Sequence, residues 1–143
     1  MAAAYAYRGH WKSLDNLTEK EMVYIIEDEE WEHRRQVKQM LDYLGSHPQR
    51  TREILMWLTG RMIGITCHLT GWFLPMYFAG RVESGNVEEY ETASLHAGSL
   101  GLKSFEEELR EMAATERNHE LFFMKTVYGH RLNPLMRAVF RWG

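Results

Sequence analysis

Apolar residues recur at three- and four-residue intervals through most of the chain, the spacing of helices that bury one face. The pattern predicts a first helix over Met1 to Leu14, closed by the turn Asp15-Asn16-Leu17. Thr18, with Glu21 three residues on, reads as a capping box that opens a second helix running to Leu44, where Gly45 stops it. Helical spacing resumes near Thr51. Met62 to Gly80 then holds no Lys, Arg, Asp or Glu. Three readings of that run stay open: a buried crossover broken near Gly71 and Pro75, a segment lying on a membrane surface, and a span. A helix from Arg81 to Leu100 follows, ended by Gly101. Ser104 with Glu107 forms a second capping box, opening a helix to Val127, and a short amphipathic helix is expected after Pro134.

The two capping boxes are 86 residues apart (104 − 18), and the same shift carries Glu30 onto Glu116 and His33 onto His119. It also carries Val23 onto Leu109, Ile26 onto Met112 and Val37 onto Phe123. The helices before them align at an offset of 89, with Tyr7-Arg8-Gly9 over His96-Ala97-Gly98. A duplicated helical hairpin is therefore expected. It builds an all-α, ferritin-like four-helix bundle from two hairpins joined by a long, partly helical crossover, as one domain over 1–143.

The repeat carries chemistry. Residues three apart on a helix lie roughly 60° from one another, so each Glu-x-x-His pair points one way. Two such helices bring two carboxylates and two imidazoles to one buried space. That is the core of a di-iron carboxylate site, to which each remaining helix adds one Glu. Oxygen and nitrogen donors suit iron, with manganese as the alternative. One Glu-x-x-His is a weak signal. Two copies at matching positions inside apolar stripes are a strong one, set against buried Glu–His pairs in a metal-free bundle. The metal ligands expected are Glu30, His33, Glu89, Glu116 and His119. Glu89 is the choice from the third helix, with Glu91 and Glu83 next and Glu88 facing away. The first helix has no matching acid: the counterpart of Glu89 falls just before Met1. The ligand then lies upstream, or the protein has an open coordination position. Tyr7, Glu27, Tyr90 and His96 are candidates for hydrogen bonding near the metals, against ordinary packing or solvated positions.

With these motifs the chain resembles the demethoxyubiquinone hydroxylase family. Tyr7-Arg8-Gly9-His10 matches that family's Tyr-x-Gly-Gln block, with His for Gln, and Glu89-Tyr90 resembles its Glu-Tyr block. Thr51-Arg-Glu-Ile-Leu-Met-Trp-Leu resembles the entry to its membrane-facing hairpin. Leu95-His96 stands where the family has a His-Tyr pair. The resemblance implies a non-haem di-iron oxidoreductase, an O2-dependent monooxygenase of an apolar quinone-like substrate in ubiquinone biosynthesis, with two iron ions as cofactor. A rubrerythrin- or ferritin-type ferroxidase or peroxidase is the rival enzyme. A metal-storing or metal-free bundle that binds a partner or membrane is the rival outside enzymes.

Composition adds little but does exclude. A net charge of −3 and only a short basic tail, Arg137 to Arg141, argue against a nucleic-acid partner. The lone Cys67 precludes an intrachain disulfide and suggests a reducing compartment. No signal peptide is visible, since Arg8, His10 and Lys12 follow the apolar start closely. The expected location is cytoplasmic, peripheral on the inner face of the membrane if 62–80 touches lipid, and an oligomer of identical chains is expected.

Overall fold

The computed structural model describes residues 2–143, and the described residues form six helices and no strand. They are α1 (Ala2–Lys12), α2 (Leu17–Tyr43), α3 (Arg50–Cys67), α4 (Phe73–Ser99), α5 (Lys103–Val127) and α6 (Asn133–Phe140). The expected first residue of the first helix, Met1, lies outside the described residues. The all-α expectation is met.

The starts of α2 and α5 keep the register of the repeat, Leu17 and Lys103 being 86 apart (103 − 17), but neither expected capping box forms. Asn16 caps α2 instead: its side-chain oxygen accepts from the backbone N–H of Thr18 at 3.0 Å and of Glu19 at 3.1 Å. Asn16 takes the extended backbone that a cap needs, and Thr18 is already helical. In α5, Ser104 lies inside the helix and its hydroxyl donates to Glu108 at 3.1 Å.

The charge-free run divides at Gly71, whose φ of 73° is open to glycine at little cost. Its first part belongs to α3 and its last part to α4, which begins at Phe73 rather than Arg81. Pro75 causes no break there. It is the third residue of α4, where its missing N–H would have had no partner within the helix. Among the described residues no helix is long and apolar enough to cross a membrane.

Packing divides the chain into two compact units, Met1–Trp72 and Phe73–Gly143. In the first, α1 packs against both α2 and α3. Glycine lets α3 approach. A Cβ on Gly9 would stand 2.3 Å from the Gly64 Cα, and one on Gly60 would stand 2.3 Å from the Ala2 carbonyl oxygen. Arg34 of α2 pairs with Glu53 of α3, and the Trp72 indole donates to Glu19 at 2.6 Å. One side of α3 leaves Ile54, Leu58, Met62 and Ile65 exposed, and Leu69 in the turn after it is exposed too.

In the second unit α4 and α5 form a hairpin. The segment after α6 returns to it. The Trp142 ring fills the space over Gly80, packs edge-on to Tyr77 at 5.0 Å, and donates its N–H to Glu120 at 2.9 Å.

Candidate metal centre

The buried positions of α5 are Leu109, Met112, Ala113, Glu116, His119, Phe123 and Val127, an unbroken helical stripe. Two of its members are ionisable. On α4 the buried positions pass through Met76, Tyr77, Gly80, Glu83 and Val87. Glu83 and Glu116 are 0% exposed and His119 is 4% exposed. Their ligand atoms lie within 4.8 Å of one another. His119 Nδ1 is 3.4 Å from Glu116 Oε2, and the Asn86 amide donates to Glu83 Oε2 at 2.8 Å.

This arrangement is costly as it stands. Each buried carboxylate gives up solvation worth several kcal/mol, and two of them side by side repel. A cation among them offsets both terms. Two carboxylates and one imidazole are hard and borderline donors, a set that fits iron or manganese. The residues present therefore fit the expected metal.

Glu83, not Glu89, is the α4 acid in this cluster. Glu89 is exposed, as are Glu88 and Glu91, and Glu91 accepts from Arg117 at 2.9 Å. The expectation of Glu89 rests on a hairpin pivot between Leu102 and Lys103. The turn lies earlier, around Leu100 and Gly101, which moves the level of Glu116 toward the start of α4. There the inward phase runs Tyr77, Gly80, Glu83, Val87, and Glu89 is roughly two-thirds of a turn out of phase with Glu83. That phase was the signal available in the sequence.

In the first unit, Glu30 and His33 are each 6% exposed, one turn apart on the buried stripe of α2. Glu27, one turn before Glu30, is 3% exposed and fully engaged. Its carboxylate accepts from Arg8 Nε at 2.7 Å, from the Trp11 indole at 2.7 Å and from the Trp31 indole at 3.2 Å. It therefore ties α1 to α2, and it is neither a solvated residue nor a free ligand. Trp31 is a packing residue, edge-on to Tyr5 at 5.1 Å. Of the other candidates, Tyr7 is buried and stacks on His10, Tyr90 is half-buried, and His96 is exposed.

His10 is 2% exposed, and burial pushes its pKa down from the ordinary 6.5 to about 4. Between those values the unfolded chain binds the proton that the folded chain refuses, so stability falls as pH falls from 6.5 toward 4. Going from pH 7 to pH 5 should cost the native chain about 2 kcal/mol at this residue. Urea unfolding at the two pH values, in native protein and in His10→Phe, should show the drop reduced by that amount in the variant. An equal drop in both would disprove it.

Comparison with family models, with curated proteins and with solved structures finds no match to this chain.

Proposed function

We propose that the chain is a ferritin-like di-iron oxidoreductase. In this reading α1, α2, α4 and α5 are the four helices of the bundle. Glu30 and His33, with Glu83, Glu116 and His119, are the ligands of two iron ions. The observation that carries it is the burial of Glu83, Glu116 and His119 with ligand atoms within 4.8 Å. The repeat supports extending the site to Glu30 and His33, which are also buried at the equivalent helix positions.

Iron bound there supplies the activation of O2. The chain's own groups do the rest. Glu83 and Glu116 balance the charge of the ions, and Asn86 fixes the rotation of the Glu83 carboxylate. Met76, Met112 and Phe123, all within 2% of full burial, exclude water around the carboxylates. The substrate class proposed is an apolar, quinone-like ring. One atom of O2 enters the ring and the other leaves as water, with two electrons from an external reductant. The exposed apolar side chains of α3 favour a lipid surface as the route by which such a substrate arrives.

The test is to load the protein with Fe(II) without oxygen, then admit O2 with a reductant and a short-tailed methoxyquinone. The reading predicts a product carrying one added oxygen, by mass spectrometry, and none from Glu116→Ala. Oxygen uptake without such a product would overturn the hydroxylase and leave the ferroxidase.

A further inference from the structure

We infer that the outward face of α6 is a docking surface for an anionic lipid membrane, held by apolar side chains and by the arginines around them. The inference goes beyond the di-iron reading and does not depend on it.

A helix on a protein surface ordinarily buries its apolar stripe and turns polar residues to water. In α6 the order is reversed. The buried position is Asn133, whose amide donates to the Tyr128 carbonyl at 3.2 Å. Pro134, Leu135, Ala138 and Val139 lie within roughly 140° of one another around the helix, and all four are exposed. Leu135 is 61% and Val139 60% exposed. Packing on both sides holds the helix in this pose. The Phe140 ring lies edge-on to Phe78 at 5.1 Å, and Trp142, just beyond, fills the space over Gly80. Phe78 and Val82 are themselves partly exposed, which carries the apolar surface onto α4.

The charge around this face has one sign. From Leu121 to Gly143 the chain holds Lys125, Arg131, Arg137 and Arg141 and no Asp or Glu, although its net charge is −3. Arg81 of α4 joins them at the end of α6, donating to the Phe140 carbonyl at 3.4 Å. Arg137 donates to the Gly143 carbonyl. Carbonyls carry no net charge, so these bonds orient the guanidinium groups without neutralising them.

Size and charge together select the occupant. A helix of eight residues is roughly 12 Å long, and its strip falls well short of the roughly 800 Å² that each partner gives to a stable protein interface. A second copy of this chain would also bring the same cations against these, and like charges repel. A lipid surface needs no matching shape. It takes a short apolar strip between its headgroups, and each Lys or Arg near an anionic leaflet strengthens binding about fivefold.

The test is flotation of the whole chain with vesicles of phosphatidylcholine alone, or with about one-third phosphatidylglycerol. The native chain should float with the anionic vesicles, far less with the neutral ones, and less as salt is raised. Leu135→Glu with Val139→Glu should weaken binding at least about tenfold, with helical circular dichroism unchanged, because both side chains are exposed. Arg131→Gln with Arg137→Gln should weaken it about fivefold per charge on anionic vesicles and hardly at all on neutral ones. Equal binding to both vesicle types would overturn the inference. So would native binding by the glutamate variant, which would put the attachment elsewhere, on the apolar side of α3 for example. If the native chain binds no vesicle and instead forms a dimer that the glutamate variant abolishes, a second copy covers the face and the inference fails. No vesicle binding and no dimer would overturn it as well.

Discussion

Gly9→Val should unfold the first unit, whereas Gly85→Ala should stabilise the second. Both glycines lie inside helices, where glycine is worse than alanine by about 0.5–1 kcal/mol on backbone entropy alone. Propensity alone therefore favours both replacements. Packing reverses the sign at one of them. A Cβ at position 9 would stand 2.3 Å from the Gly64 Cα and 2.6 Å from its carbonyl carbon, and backbone atoms cannot rotate away as a side chain can. Either α3 lifts off α1 or the helices bend, and valine adds two methyl groups to the clash. Overpacking of this kind costs about 3 kcal/mol or more, a large share of the roughly 5–15 kcal/mol that holds a domain folded. At Gly85 a Cβ meets nothing within 4 Å, so only the favourable term remains. Denaturant unfolding of both variants checks the pair. A neutral Gly9→Val would mean that α3 does not lie against α1 at this distance.

Glu116→Leu should raise the melting temperature of the metal-free protein and remove its response to metal. Without an ion, Glu116 is a fully buried carboxylate beside Glu83. Replacing a buried charged group by a well-packed apolar one of similar volume is often stabilising by about 1–4 kcal/mol. With an ion the balance reverses. A metal at a hundred times its dissociation constant stabilises the native chain by about 2.7 kcal/mol, on the order of 10 °C for a protein of this size. The leucine variant has one candidate ligand fewer at the proposed metal site and should show little of that gain. Thermal scans with and without Fe(II) under nitrogen would show the two effects as opposite signs. If the variant is less stable than the native chain under both conditions, Glu116 is a structural hydrogen-bonding residue and the metal account fails.

Helices and chemistry were legible in the sequence to different depths. Spacing and glycine stops placed α2 and α5 closely because those helices carry long, regular apolar stripes. The same stripes singled out Glu30, His33, Glu116 and His119, since an ionisable residue at a buried phase stands out when it occurs twice at one offset. Caps were harder. Thr18 and Ser104 have the right sequence context, yet Asn16 competes for one cap and Ser104 is taken into its helix. The start of α4 was hidden because Phe73 to Gly80 has no polar residue to show a phase. Glu83 depended on where the hairpin turns, and a shift of a few residues there changes which acid faces inward. Glu27 was ambiguous for another reason. Its partners Arg8 and Trp11 belong to a different helix, and no local pattern records a hydrogen bond across that distance. Trp142 is the same kind of case, a residue near the end of the chain whose site is a glycine more than sixty positions earlier.

The central claim is that the buried carboxylates and imidazoles exist to hold iron. Its most direct test is to load purified protein with Fe(II) in the absence of oxygen, remove loosely held metal, and measure iron per chain. The account predicts about two irons per chain, with loss of iron in Glu30→Ala and in Glu116→Ala. No bound iron in a protein that is folded and helical would contradict it.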